Sequence, residues 1–209
     1  MNILILGPQG SGKGTQGKLL AQKFGFYYIE SGALIREAAR NDPKINQIVN
    51  VEGRLLDDEP TFEIIKKNLE RAHDGNLLLD GFPRSPVQYE MLRAWLSAKG
   101  QKIDHAILLE IGEEEAVRRL SARREDRKSG KIFNLITNPP GPEIEGSSLY
   151  QRPDDTPEPI KNRLKEYQEK TKPLIAVFEK EGILRRVNGE RPIEAIFADL
   201  VKIVSPHAE

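Results

Sequence analysis

A glycine-rich segment directly behind an apolar run is the feature that most constrains this chain. The run covers residues 3–6, reads as a buried β-strand, and is followed by Gly7, Gly12 and Lys13 at the spacing of a phosphate-binding loop. Residues 15–24 then carry apolar side chains at helical spacing. Glycines let several N–H groups converge on one anion, and the helix N-terminus adds partial positive charge. The sequence therefore predicts a site for the phosphates of a nucleotide.

The residue after the lysine narrows the class of phosphate-binding protein. The strict motif has Ser or Thr at that position, whereas this chain has Gly14 before Thr15. This departure weakens an assignment to the motor-type or GTPase-type proteins with such loops. It favours the kinases that act on small molecules.

Composition limits the partners and the location that we expect. The 209 residues contain 32 basic and 32 acidic side chains, so no overall field predicts a nucleic-acid or membrane partner. The chain has no cysteine, which excludes disulfides and cysteine-ligated zinc or iron–sulfur sites. Because a predicted strand begins at residue 3, we expect no signal peptide, and no apolar run approaches transmembrane length. A cytoplasmic protein is expected.

Apolar runs and amphipathic stretches alternate along most of the chain. The apolar runs are residues 3–6, 26–29, 77–79, 105–111 and 182–187. The amphipathic stretches are residues 62–72, 87–98, 113–123, 160–181 and 192–204. Continuous apolar strands separated by helices are typical of a parallel sheet that is covered on both faces. The prediction is an α/β fold in which ligands bind at the carboxyl ends of the strands.

Residues 31–59 interrupt this alternation near the N-terminus. They fit two short helices that begin at Ser31 and at Asp42 and stop at Gly53. Because the segment connects strands that follow each other in sequence, it is predicted to be an inserted flap.

Residues 124–155 form the second interruption. Prolines and glycines are dense here, as in residues 138–142, so a disordered linker is one interpretation. The other is a small structured lid, because long loops inside compact domains are usually functional. Four apolar residues favour the lid by supplying surface to bury: Ile132, Phe133, Leu135 and Ile136.

Asp80 and Arg84 follow the apolar run 77–79. A carboxylate at the end of a buried strand beside a phosphate loop is where a Mg²⁺ hydration shell is organised. The alternative for Asp80 is a cap on the next turn. Arg84 lies just past the strand end and is expected to point into the same crevice.

Further arginines follow in the second half of the chain. Arg119 and Arg123 have the i, i+4 spacing of one helix face, where two like charges repel unless an anion joins them. A solvated basic face is the alternative. Arg124, Arg152 and Arg163 add to the set.

No residue pattern supplies a general base. His73, His105 and His207 are scattered, with no spacing typical of a metal site or a catalytic triad. A phosphate acceptor has a second pKa of about 6, so it is already ionised at neutral pH and needs no base. The sequence thus favours phosphoryl transfer between two polyanions, with arginines gripping the phosphate oxygens.

The chain resembles the adenylate kinases over nearly its whole length. The matching segments are residues 7–16, Ser31-Gly32 with Arg36, 53–56, 80–84 with Gln88, 123–124, 129–130, 138–140, Arg152 with Asp154-Asp155, 163–164 and 171–174. The resemblance implies a P-loop core with a five-stranded parallel sheet, made of residues 1–30, 57–121 and 156–209. It also implies an AMP-binding flap at residues 31–56 and a lid over ATP at residues 122–155.

The resemblance also implies roles for individual residues. The expected ATP-binding residues are Gly10, Ser11, Gly12, Lys13, Gly14, Thr15, Arg119, Arg123, Ile132, Phe133 and Arg191. The expected AMP-binding residues are Ser31, Arg36, Arg54, Leu55, Leu56, Gly81, Phe82, Pro83, Arg84, Gln88, Arg152 and Arg163. The expected catalytic set is Lys13, Arg84, Arg123, Arg152 and Arg163, and Asp80 would hold Mg²⁺ through water.

The implied reaction is reversible, Mg²⁺-dependent transfer from ATP to AMP that gives two ADP, carried out by a monomer. The lid has no zinc ligands of the cysteine type, so no zinc is expected and its stabilisation is left open. Asn134 replaces a histidine found near the donor base, which leaves ATP or GTP as the donor. A UMP/CMP kinase on the same fold is one alternative, against which the Ser31 hydroxyl and the Gln88 amide argue. A non-catalytic nucleotide sensor is the other.

Overall fold

The computed structural model describes residues 1–72 and 76–205, and its centre is a parallel sheet with the spatial strand order β2-β3-β1-β4-β8. In chain order the strands are β1 (Ile3–Leu6), β2 (Tyr27–Glu30), β3 (Leu77–Asp80), β4 (His105–Glu110), β5 (Arg123–Asp126), β6 (Ile132–Asn134), β7 (Leu149–Tyr150) and β8 (Leu184–Asn188). The helices are α1 (Lys13–Phe24), α2 (Ser31–Asn41), α3 (Pro43–Asn46), α4 (Asp58–Leu69), α5 (Pro86–Ser97), α6 (Glu113–Ser121), α7 (Pro157–Glu166), α8 (Pro173–Lys180) and α9 (Ile193–Val204). The predicted five-stranded parallel sheet is confirmed. His73 and His207 lie outside the described residues.

Alternate residues of the central strands face two different apolar clusters. Leu4 belongs to the cluster that contains Phe62 of α4 and Leu92 of α5. Ile5 belongs to the cluster that contains Leu20 of α1 and Leu200 of α9. Because successive side chains of a strand point to opposite faces, the sheet is covered by helices on both sides, as the continuous apolar strands predict.

The two short helices predicted after β2 are present. Helix α2 begins at Ser31, and α3 begins after Asp42, whose Oδ1 accepts from the backbone N–H of Lys44 at 2.8 Å. A π-helical turn at Gln47–Val51 follows, and Gly53 then takes a left-handed backbone conformation with φ +67°. An aspartate cap at the start and a glycine at the end are the expected signals of short helices.

Two predicted helices end earlier than their apolar pattern indicates. The stretch 160–181 divides into α7 and α8 around a π-helical turn, because Pro173 has no N–H to continue the ladder and instead starts α8. Helix α6 ends at Ser121, and Arg123 belongs to β5. The prediction that Arg119 and Arg123 share one helix face is therefore wrong.

The segment predicted as a lid contains a small antiparallel sheet with the order β6-β5-β7. Hydrogen bonds hold its turns: the Asp126 carboxylate accepts from the Ser129 backbone N–H at 2.9 Å, and the Asn134 amide donates to the Arg119 carbonyl at 2.8 Å. Hydrogen bonds from the Ser129 and Ser148 hydroxyls lower the pKa of Asp126 to about 2. The linker interpretation is therefore wrong for this segment.

The apolar residues of this segment do not form the expected core. Leu135 and Ile136 are 46 % and 52 % exposed, and none of the three apolar clusters in the described chain includes them. A sheet with strands this short cannot bury both of its faces, so polar contacts replace apolar packing here.

Within residues 1–72 and 76–205, we find no helix with the length and apolar character needed to cross a membrane.

Candidate active site

The loop between β1 and α1 has the geometry of a phosphate cradle. A Cβ atom on Gly7 would lie 2.5 Å from the carbonyl oxygen of Leu109, so only glycine fits against β4 at this point. Gly12 takes φ +90° immediately before α1, a conformation that residues with a Cβ rarely adopt. These glycines let the loop bend tightly, so that it surrounds the N-terminus of α1.

The Lys13 ammonium is held by the loop itself. Its Nζ donates to the carbonyl oxygens of Gly7 and Pro8, both at 2.8 Å. Burial lowers the pKa of Lys13 to about 8; the charge of Asp80 opposes this shift, whereas Arg84 adds to it. Lys13 can therefore supply a positive charge, and its protonation state changes within a pH range that experiments can reach.

This pKa predicts an alkaline limit to the reaction. If Lys13 binds the phosphates of ATP, as the resemblance to the adenylate kinases implies, the charged form is the one that binds, and we expect kcat/KM for ATP to fall by about tenfold per pH unit above about pH 8. At saturating ATP the phosphates favour the ammonium form, so the fall in kcat should begin at a higher pH. Steady-state profiles of both parameters check this, and a kcat/KM that stays flat to about pH 10 would contradict it.

A cavity of about 530 Å³ extends from the phosphate loop between α2, the π-helical turn that follows α3, and the small sheet that contains β5 and β6. Ten basic residues line it: Lys13, Arg36, Arg54, Arg84, Arg118, Arg119, Arg123, Arg152, Arg163 and Arg191. Five acidic residues line it as well: Glu30, Asp80, Glu115, Asp154 and Glu190. The excess of five positive charges contrasts with a chain of net charge zero, so positive potential is concentrated where polyanions would bind.

Buried carboxylates fix several of these arginines in place. Arg123 Nε donates to Asp155 at 2.7 Å, and Arg163 donates to Asp154 at 2.7 Å and to Asp155 at 2.9 Å. Arg152 Nε donates to Glu125 of β5 at 2.6 Å. Such pairs fix the direction in which each guanidinium presents its remaining N–H groups.

Burial and pairing act against each other in the pKa values of these groups. Burial alone would raise the pKa of Asp155, but the charges and hydrogen bonds of Arg123 and Arg163 bring it below its usual value. Burial lowers the pKa of Arg84 to about 10, although the charge of Asp80 opposes this. At neutral pH the Arg84 guanidinium and the Asp155 carboxylate are thus both charged.

Asp80 closes the cavity at the carboxyl end of β3. Its side chain is only 5 % exposed and accepts a hydrogen bond from the Tyr28 hydroxyl at 2.7 Å. Burial raises the pKa of Asp80, whereas the charge of Lys13 and the Tyr28 hydrogen bond lower it. Burial outweighs these partners, so the pKa of Asp80 stays above its usual value.

Comparisons with known proteins agree with this arrangement. A sequence model of the family described as "Adenylate kinase" matches residues 5–183. The adenylate kinase of Methanothrix thermoacetophila is 41 % identical over 213 residues, which cover 98 % of this chain and 99 % of the relative. Those of Shouchella clausii and Thermotoga maritima are each 37 % identical, and they cover 98 % and 97 % of this chain, with 98 % and 96 % of the relatives' own lengths.

The chain belongs to the adenylate kinase family. The resemblance found in the sequence is confirmed, and with it the enzyme class: a nucleoside monophosphate kinase, which is a phosphotransferase. The alternatives of a UMP/CMP kinase and a sensor are not favoured, since the relatives are named as adenylate kinases.

Most residues predicted for the adenylate kinase site line the single cavity described above. They are Gly10, Ser11, Gly12, Lys13, Gly14, Thr15, Arg36, Arg54, Leu55, Leu56, Asp80, Arg84, Arg119, Arg123, Ile132, Phe133, Arg152, Arg163 and Arg191. Five others are buried and are not among the lining residues: Ser31, Gly81, Phe82, Pro83 and Gln88.

The buried residues of the predicted AMP site make contacts within the protein. The Phe82 ring is fully buried against Phe62 in the apolar core, so its side chain packs there, and only the backbone of this residue is left for the predicted contact with AMP. Ser31 Oγ lies 2.7 Å from the Gly81 carbonyl oxygen, and Gln88 Oε1 accepts from the Arg84 backbone N–H at 2.7 Å. These contacts fix the turn that carries Arg84.

The residues that the sequence analysis did not identify include Glu30, which lines the cavity, and Tyr28, which lies behind Asp80. Glu30, at the end of β2, pairs with Arg36 at 3.1 Å and lines the cavity. Tyr28 reaches Asp80 from the same strand. The available signal was positional: both residues lie at the carboxyl end of a strand next to β3, where parallel α/β sheets place their ligand sites.

Proposed function

We propose that the chain transfers the γ-phosphoryl group of Mg²⁺-ATP directly to AMP, reversibly and without a phosphoenzyme, to give two ADP. The observation that carries this proposal is the excess of positive charge in one cavity that begins at a phosphate loop. Such an arrangement suits two polyanions better than one. The reaction class is that of the family to which the chain belongs.

The donor is proposed to bind on the side of the phosphate loop. Backbone N–H groups of residues 10–15 would surround the ATP phosphates, with Lys13 and Arg123 supplying charge. Ile132 and Phe133 of β6 would contact the nucleotide from above, and Arg119 and Arg191 would lie at its base. All of these residues line the cavity, which supports the assignment.

The acceptor is proposed to bind on the side of the flap helices. Arg36 and Arg54 would hold the AMP phosphate, while Leu55 and Leu56 lie alongside. Arg36 is paired with Glu30, so an incoming phosphate would exchange one carboxylate partner for a doubly charged one. Ser31 and the amide of Gln88 are proposed to select adenine.

The transfer itself is proposed to depend on positioning and charge. An AMP phosphate is ionised at neutral pH and attacks without a general base. Arg84, Arg152 and Arg163 would neutralise the charge that spreads over the transferred group, and Lys13 would move with it. Carboxylates hold Arg152 and Arg163 before substrate binds, and the Gly81 carbonyl oxygen accepts from Arg84 Nε at 2.7 Å, so little reorganisation is needed at the moment of reaction.

The donor set around Asp80 fits a hydrated Mg²⁺. A single buried carboxylate beside the loop suits an ion that keeps most of its water ligands and is otherwise bound by phosphate oxygens. Asp80 would hold it through water, and the bound ion would neutralise the β- and γ-oxygens of ATP. Burial raises the pKa of Asp80, the charges of Lys13 and Arg84 oppose this rise, and the charge of a bound Mg²⁺ would oppose it further.

The division of labour along the chain is also a proposal. Residues 1–30, 57–121 and 156–209 would act as the core, 31–56 as the AMP flap and 122–155 as the lid. Flap and lid would exclude water, which could otherwise accept the phosphoryl group. We further propose a monomer in the cytoplasm, because residues of one chain surround the cavity and the substrates ATP, AMP and ADP occur there.

Replacing Gln88 with alanine tests the acceptor side. The change removes a buried amide, so we expect KM for AMP to rise about ten- to a hundredfold while KM for ATP changes little. The matched control is Gln47→Ala, which alters an exposed glutamine of the flap outside the cavity. Equal increases for both nucleotides would remove Gln88 from the acceptor site and leave the assignment of the donor site intact.

A further inference from the structure

Tyr28 is placed where it can act on the carboxylate of Asp80. Tyr28 of β2 pairs with Leu78 of β3, so Asp80 is two residues further along the neighbouring strand and on the same face of the sheet. An aromatic side chain can reach such a diagonal neighbour. The Tyr28 hydroxyl donates to Asp80 Oδ2 at 2.7 Å, the length of a good charge-assisted hydrogen bond.

Helix α1 leaves room for the Tyr28 ring by means of glycine. Gly17 is buried within the helix, and a Cβ atom there would lie 2.6 Å from Cε2 of the ring, closer than atoms can approach. A Cβ atom on Gly14, one turn earlier, would lie 3.5 Å from Asp80 Oδ2 and 3.9 Å from the Tyr28 hydroxyl. A glycine in a helix interior is unfavourable by about 1 kcal/mol relative to alanine, so this space is kept at a cost in helix stability.

We propose that Tyr28 is a positioning residue for Asp80, and that Gly17 is the part of α1 that allows it to act. The hydrogen bond fixes Oδ2 against the sheet and thereby directs the other carboxylate oxygen, Oδ1, towards the cavity. The inference rests on the proposed function, in which Asp80 holds the waters of Mg²⁺. It goes beyond that function because it assigns part of the Mg²⁺ affinity of the nucleotide complex to Tyr28. In this proposal Tyr28 itself would contact neither the metal nor the nucleotide.

Competing charges explain why the carboxylate needs a fixed orientation. Lys13 and Arg84 are both close enough to act on Asp80, and without the hydroxyl the carboxylate would be free to turn towards either cation. A carboxylate turned in this way would present less of its charge to the metal's water shell. The effect of Tyr28 should therefore be seen in Mg²⁺ affinity rather than in nucleotide affinity alone.

The test is a calorimetric titration of Mg²⁺ into the full chain saturated with the β,γ-imido analogue of ATP. We expect Tyr28→Phe to raise the Kd for Mg²⁺ by about fivefold, while the Kd for the analogue without Mg²⁺ stays unchanged. The matched control is Tyr27→Phe, which removes the hydroxyl of the exposed neighbouring tyrosine and should leave both constants as they are. An unchanged or lower Kd for Mg²⁺ in Tyr28→Phe would overturn the inference.

Asp80→Asn separates a failure of this inference from a failure of the proposed function. If that variant binds Mg²⁺ like the unaltered chain, the proposed role of Asp80 is wrong, and the inference falls with it. If Asp80→Asn loses Mg²⁺ affinity and Tyr28→Phe does not, only the role of Tyr28 is wrong.

Gly17→Ala gives a second, independent measurement. The added methyl group should displace the Tyr28 ring, so we expect a Kd for Mg²⁺ that is raised about as far as in Tyr28→Phe, about fivefold. Combined with Tyr28→Phe it should raise the Kd no further, since the hydroxyl is already absent. Additive effects of the two substitutions would contradict a shared mechanism.

Discussion

Replacing Lys13 with methionine is expected to reduce kcat by about a hundred- to a thousandfold, equivalent to about 3–4 kcal/mol of transition-state stabilisation. The variant keeps the length and apolar stem of the side chain and removes the charge that would follow the transferred group. Because burial already disfavours this charge, the melting temperature should not fall. Steady-state rates and thermal unfolding of the same samples measure both effects.

The matched control for this substitution is Lys23→Met. Lys23 lies on the same helix, is exposed and is not among the residues that line the cavity, so its replacement should leave kcat unchanged. If Lys13→Met retained more than about a tenth of kcat, the lost stabilisation would be below about 1.4 kcal/mol. A direct electrostatic role for Lys13 would then be untenable.

Replacing residues 127–150 with a short Gly-Ser turn should abolish most of the transfer activity. This change removes β6 and β7, and with them Ile132 and Phe133 from the cavity wall, while Arg123 and Arg152 remain in the chain. We expect transfer to fall by at least about a hundredfold and the ratio of ATP hydrolysis to ADP formation to rise, because water then reaches the phosphates. AMP binding should change little, since the flap residues Arg36 and Arg54 are untouched.

Two further measurements distinguish a lid from a passive insertion. In the unaltered chain, a mimic that joins two adenosines through five phosphates should reduce the radius of gyration, because it binds best when both sides of the cavity engage it. Ile136→Ser alters an exposed residue of the same segment outside the cavity and should preserve transfer. An unchanged radius together with near-normal transfer in the shortened chain would mean that the segment has no closing role.

Local signals were sufficient for the phosphate loop and the sheet. The glycines behind β1 have conformational requirements that few other residues meet, so their spacing alone predicts the loop. The strands are continuous apolar runs because both of their faces are covered, and this pattern is visible without a structure. The start of α3 is also predicted by a local signal, since the Asp42 side chain caps the turn that follows it.

Contacts between distant segments were beyond local signals. The sequence indicates a set of arginines, but the carboxylate that each one uses depends on the fold: Arg123 and Arg163 share Asp155, and Arg152 uses Glu125. The end of α6 was placed too late because the helical pattern continues to Arg123, whereas pairing with β6 draws that residue into a strand. At the end of α6, tertiary pairing thus outweighs helix propensity.

The same limit explains what the sequence missed around Asp80. The contact between Tyr28 and Asp80 depends on the register of β2 with β3, which the sequence does not reveal. The need for glycine at position 17 depends in turn on the position of the Tyr28 ring. The motif that contains Gly81, Phe82 and Pro83 likewise does not reveal that the Phe82 ring is buried in the apolar core, where burial of an aromatic side chain is favourable.

The central claim is that AMP is the phosphoryl acceptor, and a coupled assay with four acceptors tests it most directly. AMP, UMP, CMP and GMP are each supplied with Mg²⁺-ATP or Mg²⁺-GTP, and kcat/KM is compared across the set. The account predicts that AMP exceeds every other acceptor by at least about a hundredfold, because the buried amide of Gln88 is proposed to select the base edge. A kcat/KM for UMP or CMP that equals or exceeds the value for AMP would contradict it.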